Sequence, residues 1–413
     1  MELRKLGHEQ NIEQHYTIHH NTSGSLTRHS ARNGDPDTKS SHSGNHTPET
    51  GTHISRPGYD TRIETRSVDS LPPLERPLTI GGEPNPDAPH TPEPVSEPPE
   101  DRKELSPPGI LSWEAIALLA PFGLLGLLAR LGITAIATYG NQAVFSLAWV
   151  QAAGCFVMGI AQYQKPFIMS FYPPLYLGIT TGFCGSLTTF SGWQRDVFLS
   201  WLDPQGAGLS NWQRFLDGAT RLLFTQAISM ASFLLGKEIG RQDLRLKLEI
   251  PKRTVRGVIL MFSILAYAAC FPAFFLLSPD YRGAVTAALL FSFPGVVTRH
   301  LLGTVLNHRM PSFPIGTFAS NILGTAISAM SYVLQHIEPV VCHSAGVAIL
   351  QGIVDGYTGC LSTVSTYAAE INVMNRHHAW RYTLVSWLTA QVILVLVIGS
   401  AKWSGAFQTS TDC

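Results

Sequence analysis

The sequence predicts an all-α polytopic membrane protein: two inverted four-helix repeats joined by one connecting transmembrane helix, each repeat with a broken third helix. Three observations carry this prediction. Long apolar runs alternate with short polar breaks after Leu111; a set of motifs recurs in the same order and at a nearly constant offset; and an odd number of spans separates one copy from the next.

Composition sets the frame. Of 413 residues, 45% are hydrophobic and only 14% charged, well below the charged quarter of a soluble domain. The net charge of +0 hides an uneven distribution, with the polar, Pro-rich sequence before Ser112 and the apolar sequence after it. No basic patch points to nucleic acid. The six cysteines are scattered and form no CxxC pair, so neither zinc nor a disulfide framework is indicated. The start, MELRKLGHEQ, has no apolar h-region, and the first membrane helix is expected to direct insertion.

Residues 1–110 read as a disordered cytosolic arm, because runs such as PNPDAPHTPEPVSEPPE offer too few apolar groups to offset the entropy of ordering. Beyond the arm, spans are expected near 113–138, 143–163, 174–201, 216–238, 256–278, 283–306, 313–335, 343–369 and 381–402, each long enough for a bilayer. These divide into a first repeat (111–241), a basic loop with the connecting helix (242–280), a second repeat (281–403) and a short extracellular tail (404–413). Gly, Ser and Thr interrupt the runs, as expected for tightly packed helices or a polar path. Lys and Arg cluster in the loop holding Lys237, Arg241, Arg245, Lys247, Lys252, Arg253 and Arg256. With Lys165, Arg309, Arg376 and Arg381 on the same side, the arm is placed in the cytoplasm and the carboxyl terminus outside.

The repeat is read from three ordered matches. Arg130 in GLLAR pairs with Arg299 in GVVTR. Gln151-Ala-Ala-Gly154 pairs with Asn321-Ile-Leu-Gly324 at almost the same offset, and GFCGSLTTFSGW (182–193) pairs with GYTGCLSTVSTY (356–367) only slightly further on. An odd number of crossings between copies turns the second upside down, an arrangement common among transporters. Two glycines in one turn (Gly182 and Gly185, Gly356 and Gly359) favour a break there, since each Gly lowers helix stability by about 1 kcal/mol. A broken helix at membrane depth is tolerated only where it is buried or lines a cavity.

GFCGSLTTFSGW resembles the signature of the CrcB/Fluc fluoride channel family, whose bacterial members are dual-topology homodimers, and the fused two-copy chain is similar to the eukaryotic fluoride export proteins. The resemblance covers about residues 113–402. It implies passive fluoride export through a plasma-membrane, multi-pass channel that works as a single chain among lipid, with no enzymatic activity. It also implies a structural sodium ion on the main-chain carbonyls of Gly185, Thr188, Gly359 and Ser362. Fluoride is strongly hydrated, so donors must replace its water: the hydroxyls of Thr189, Ser191, Thr363, Ser365 and Thr366, the amide of Asn321, and ring edges. Phe190 matches a family position whose ring lines the anion path; Tyr382 fits a family tyrosine near the pore, with Phe224 the nearest aromatic in the first copy. Arg130 and Arg299 either bond near helix ends or draw anions to vestibules.

The copies diverge. The first keeps Phe190 but has Gln151 and Trp193 where the family has Asn and a second Phe; the second keeps Asn321 but has Val364 and Tyr367 for the aromatic pair. One conducting path using residues of both copies is expected, and one degenerate path. The rival reading is a proton-coupled secondary transporter using Asp196 or Asp355, neither of which reads as repeated in the other copy; a receptor or scaffold would leave the broken helices unexplained.

Overall fold

A computed structural model describes residues 113–407 apart from 140–141, 144, 203–207, 243–252, 279–280, 282–284, 338–339 and 341–343. The arm (1–110), most of the basic loop and residues 408–413 of the tail lie outside the described residues.

Helix α1 (Trp113–Ile136) is followed by a two-residue antiparallel ladder, β1 (Thr138–Tyr139) with β2 (Gln142–Ala143). Then come α2 (Ser146–Tyr163) and α3 (Lys165–Phe171). The next segment is assembled from α4 (Pro173–Leu177), a π-helical stretch (Gly178–Cys184), α5 (Gly185–Leu187) and α6 (Phe190–Leu202). Helix α7 (Asn211–Gly240) completes the first set; its start is fixed by a capping box between Ser210 and Gln213. Helices α8 (Arg253–Ala268) and α9 (Cys270–Leu276) form the connector.

The second set repeats this order. It comprises α10 (Ala287–Leu306) and α11 (Ile315–Gln335), then a segment of α12 (Ser344–Gly352), a π-helical stretch (Ile353–Thr358), α13 (Gly359–Leu361) and α14 (Ser365–Val373). It closes with α15 (Arg376–Leu394), a π-helical turn and α16 (Ser400–Trp403).

Among the described residues seven helices are long and apolar enough to cross a membrane, against the nine spans expected from sequence. Of the other two, Leu147–Tyr163 is apolar but shorter, and the first broken segment is not among the seven.

Side chains are distributed as a bilayer requires. Large apolar groups such as Val258, Phe262, Leu265, Phe275 and Leu388 face outward, while Ser, Thr and Asn are buried at the centre. The connector is held to α1 by a bidentate ion pair, Arg256 Nη2 to Glu114 Oε2 at 2.6 Å and Oε1 at 2.8 Å, and its lipid-facing side carries the apolar residues.

The breaks fall three residues beyond the glycines expected to cause them. Gly185 and Gly359 are helical (φ −69° and −67°), whereas Thr188 and Ser362 are extended, with φ −87° and ψ 150° and 152°. Close approach explains these glycines. A Cβ on Gly185 would strike the Arg299 guanidinium, and one on Gly359 that of Arg130.

Candidate functional site: crossed helix breaks and an aromatic column

At each break the chain leaves the helical ladder and restarts, so the second half-helix begins with unsatisfied N–H groups. The opposite copy satisfies part of them. Thr188 Oγ1 accepts the N–H of Val364 (3.2 Å) and Ser365 (3.1 Å), capping α14; Ser362 Oγ accepts the N–H of Ser191 (3.1 Å), capping α6. The remaining hydroxyls close the cluster: Thr189 and Ser191 with Ser362 (3.1 and 2.8 Å), Thr363 and Ser365 with Thr188 (both 3.1 Å). The structure thus places Thr189, Ser191, Thr363 and Ser365 together at the buried interface between copies, where they hydrogen-bond one another. Thr366 is half-buried, and its N–H lies 3.5 Å from Thr363 Oγ1.

The arginines cross in the same way. Arg299 donates from Nη1 to Gly185 O (2.7 Å) and from Nη2 to Thr181 O; Arg130 donates from Nη2 to Asp355 O. Thr181 and Asp355 are themselves counterparts, each standing just before the first glycine of its copy's motif. Both guanidinia are buried, 4% and 5% exposed, against main-chain carbonyls of the opposite broken segment. Of the two roles the sequence leaves open, this geometry matches bonding to a broken helix.

The two amides do one job despite their different lengths. Asn321 accepts from Thr363 N (2.8 Å) and donates to Thr363 O (3.2 Å); Gln151 accepts from Thr189 N (3.2 Å) and donates to Thr189 O (2.7 Å). Each clamps the residue just after its break, so Gln151 is an equivalent of Asn321 there, a point the extra methylene conceals in sequence.

Beyond the clamps an aromatic column runs through both copies. Phe190 meets Tyr367 edge-on at 5.7 Å, Tyr367 meets Tyr382 at 5.2 Å, and Tyr382 meets Phe313 at 5.1 Å. Tyr382 donates its hydroxyl to Glu370 Oε2 (3.0 Å), whose Oε1 accepts from Thr317 (2.6 Å). Glu370 lines a pocket of about 320 Å³ with Asn307, Met310, Pro314, Met374 and His378. Sequence reasoning missed Glu370, and the signal was there: continuing the alignment of the two motifs past Trp193 and Tyr367 sets Glu370 against Asp196, which therefore does have an acidic counterpart.

Two stretches of the chain, residues 117–237 and 286–401, match the family model described as CrcB-like protein, Camphor Resistance (CrcB). The chain belongs to the CrcB family. It is 31% identical over 357 residues to "Fluoride export protein 1" of Neurospora crassa, covering 71% of this chain and 67% of that one. It is 33% identical over 302 residues to "Fluoride export protein 1" of Schizosaccharomyces pombe (69% and 95% covered). It is also 30% identical over 115 residues to "Fluoride-specific ion channel FluC" of Dechloromonas aromatica (26% and 82%), a protein about the size of one CrcB unit. No solved structure matches the chain.

The two CrcB units are not equivalent around their columns. Where the second unit presents Tyr367, Tyr382 and Glu370, the first has Trp193, whose Nε1 donates to Arg221 O (3.1 Å), and an Arg221–Asp217 ion pair (3.1 Å). Phe224 packs on Phe145 at 5.3 Å, and the Arg221 guanidinium lies over that Phe145 ring. Val364, the counterpart of Phe190, offers no ring edge.

The CrcB core also bears on the sodium expectation. Among the described residues no group of three or more His, Cys, Asp or Glu side chains stands together as a metal site. The matching extended conformations of Thr188 and Ser362 turn their carbonyls out of the helix in both units, a donor set that suits a hard cation. Gly185 O already accepts from Arg299 and retains one lone pair.

Proposed function

We propose that this chain is a fluoride export channel: a passive, fluoride-selective path by which the anion leaves the cell, giving fluoride resistance. One conducting path serves it, running from the Glu370 pocket past Tyr382 and Tyr367 to Phe190. The observation that carries the single path is the aromatic column: it draws Phe190 from the first unit and Tyr367 and Tyr382 from the second, while the alternative combination has Val364 and Trp193 beside an internal ion pair. Hydroxyl donors and the positive edges of rings replace water around a small anion. The relatives' names, which specify fluoride export and fluoride-specific conduction, supply the ion.

On this reading the two CrcB units are related by a two-fold axis in the membrane plane and form an intramolecular pseudo-dimer, supported by the reciprocal capping and arginine contacts. The chain lies among plasma-membrane lipids with its amino terminus in the cytoplasm. A structural sodium ion is held by the carbonyls of Gly185, Thr188, Gly359 and Ser362, where its charge would tie the two breaks together. Export needs no other energy source, because a negative interior favours anion exit by about 2.3 kcal/mol for each 100 mV. Asp355, on which a proton-coupled reading leaned, is tied to Gln351 at 2.6 Å.

The test is a fluoride-electrode efflux assay on the purified full chain in liposomes loaded with fluoride or chloride, under an imposed potential. Rapid, potential-driven fluoride release with negligible chloride release is expected. Release that requires a proton gradient would overturn passive conduction.

A further inference from the structure

The aromatic column describes one end of the proposed path, and the opposite end holds a charge that nothing above uses. Arg195, in α6, is 7% exposed. Its one hydrogen bond is from Nη1 to Ser328 Oγ in α11, at 3.0 Å, and no carboxylate pairs with it among the described residues. A buried guanidinium with a single neutral partner is costly unless something compensates the charge.

Its position along the path is fixed by α11 and α15. Thr317 holds Glu370 at one end of α11, Asn321 clamps the break, and Ser328 holds Arg195, with Thr317 and Ser328 about 16 Å apart at 1.5 Å per residue. On α15 the order is the same: Tyr382 reaches Glu370, and Gln391, about 13 Å further on, donates to Gln194 Oε1 at 2.9 Å. Arg195 therefore lies across the break from the Glu370 pocket.

A second, independent observation concerns the ground between. Gln194 Nε2 and Ser386 Oγ are buried donor atoms without a partner; Gln194 stands four residues past Phe190 on α6 and Ser386 four past Tyr382 on α15, one turn along the faces that carry the column. Unpartnered buried donors are rare in folded proteins and call for water or an ion.

We propose that Arg195 and Ser328 form an anion-binding subsite for a small monovalent anion at the mouth opposite Glu370, reached from Phe190 past the donors of Ser386 and Gln194. The subsite rests on the fluoride reading above and adds a residue type to it: a full cation that holds the ion outside the neutral stretch. It is built from both units, α6 of the first and α11 of the second. Arg195 has no cationic counterpart in the second unit, where the aligned position, just before Glu370, is Ala369, so the subsite serves one path only.

The experiment compares parent, Arg195→Gln, Arg195→Lys and Ser328→Ala in liposomes over a wide range of fluoride concentration. Arg195→Gln should raise the half-saturating fluoride at least tenfold with maximal flux within about threefold, Arg195→Lys should restore most of the low-concentration flux, and Ser328→Ala should raise half-saturation about threefold, following charge-assisted and neutral hydrogen bonds respectively. A loss by the same factor at every concentration, or Arg195→Gln and Ser328→Ala curves superimposable on the parent, overturns the subsite. If Arg195→Gln does not fold, Ser328→Ala decides. Fluoride-dependent thermal stabilisation of the detergent-solubilised protein gives a readout free of conduction. Stabilisation that depends on Arg195 in a parent that passes no fluoride would refute the channel reading and leave the subsite standing; no stabilisation and no conduction would refute both.

Discussion

Tyr382→Phe separates a hydroxyl that conducts from a ring that packs. The substitution deletes one oxygen. The ring keeps its contacts with Tyr367 at 5.2 Å and Phe313 at 5.1 Å, so the core should hold. What is lost is the donor to Glu370 Oε2 at 3.0 Å, leaving that carboxyl with Thr317 at 2.6 Å and Asn307 at 3.4 Å. Removing one partner of a buried hydrogen bond costs about 1–3 kcal/mol. If the same hydroxyl turns to meet the permeating anion, a comparable amount is added to the barrier, and flux falls about 5- to 150-fold at about 1.4 kcal/mol per decade. The assay is fluoride efflux from liposomes at matched protein, with monodispersity checked by size exclusion. A variant that is well folded and conducts within twofold of the parent would refute the placement of Tyr382 on the path.

The asymmetry of the column gives a second expectation: Phe190→Val should cut efflux at least tenfold in the same assay, whereas Val364→Ala should change it less than threefold. The clamps give a third. Asn321→Asp and Gln151→Glu each set an oxygen against the carbonyl their amide now serves, so both should lower thermal stability by a similar amount, about 1–3 kcal/mol; a neutral Gln151→Glu would break the equivalence seen here. Gly359→Ala brings a Cβ against the Arg130 guanidinium, which must shift from its place on Asp355 O, and should lower thermal stability, while Gly257→Ala, with open space around it, should be silent by expression and fluorescence size exclusion. For topology, an epitope placed after Asp412 should be accessible on intact cells and one after Glu2 should not; cytosolic exposure of both would sink the inverted arrangement.

The sequence by itself determined the class of molecule and its repeat. Apolar runs of bilayer length are local, and so is the string GFCGSLTTFSGW with its partner GYTGCLSTVSTY, so both can be read without knowing what touches what. The aromatic residues Phe190, Tyr367 and Tyr382 were legible for the same reason. Tertiary structure decided how they are used. The glycines that read as helix breakers make room for arginines of the opposite unit, and the breaks move to Thr188 and Ser362, where each hydroxyl caps the other unit's helix. Gln151 and Asn321 look divergent in one dimension and act alike because side-chain length trades against backbone position. Glu370 gains its meaning only when Tyr382 and Thr317 converge on it. Each of these depends on contacts between elements separate in sequence, some across the two halves and some within one, and hydrophobic periodicity, which reports only which face of a segment is buried, carries no record of the partner it is buried against.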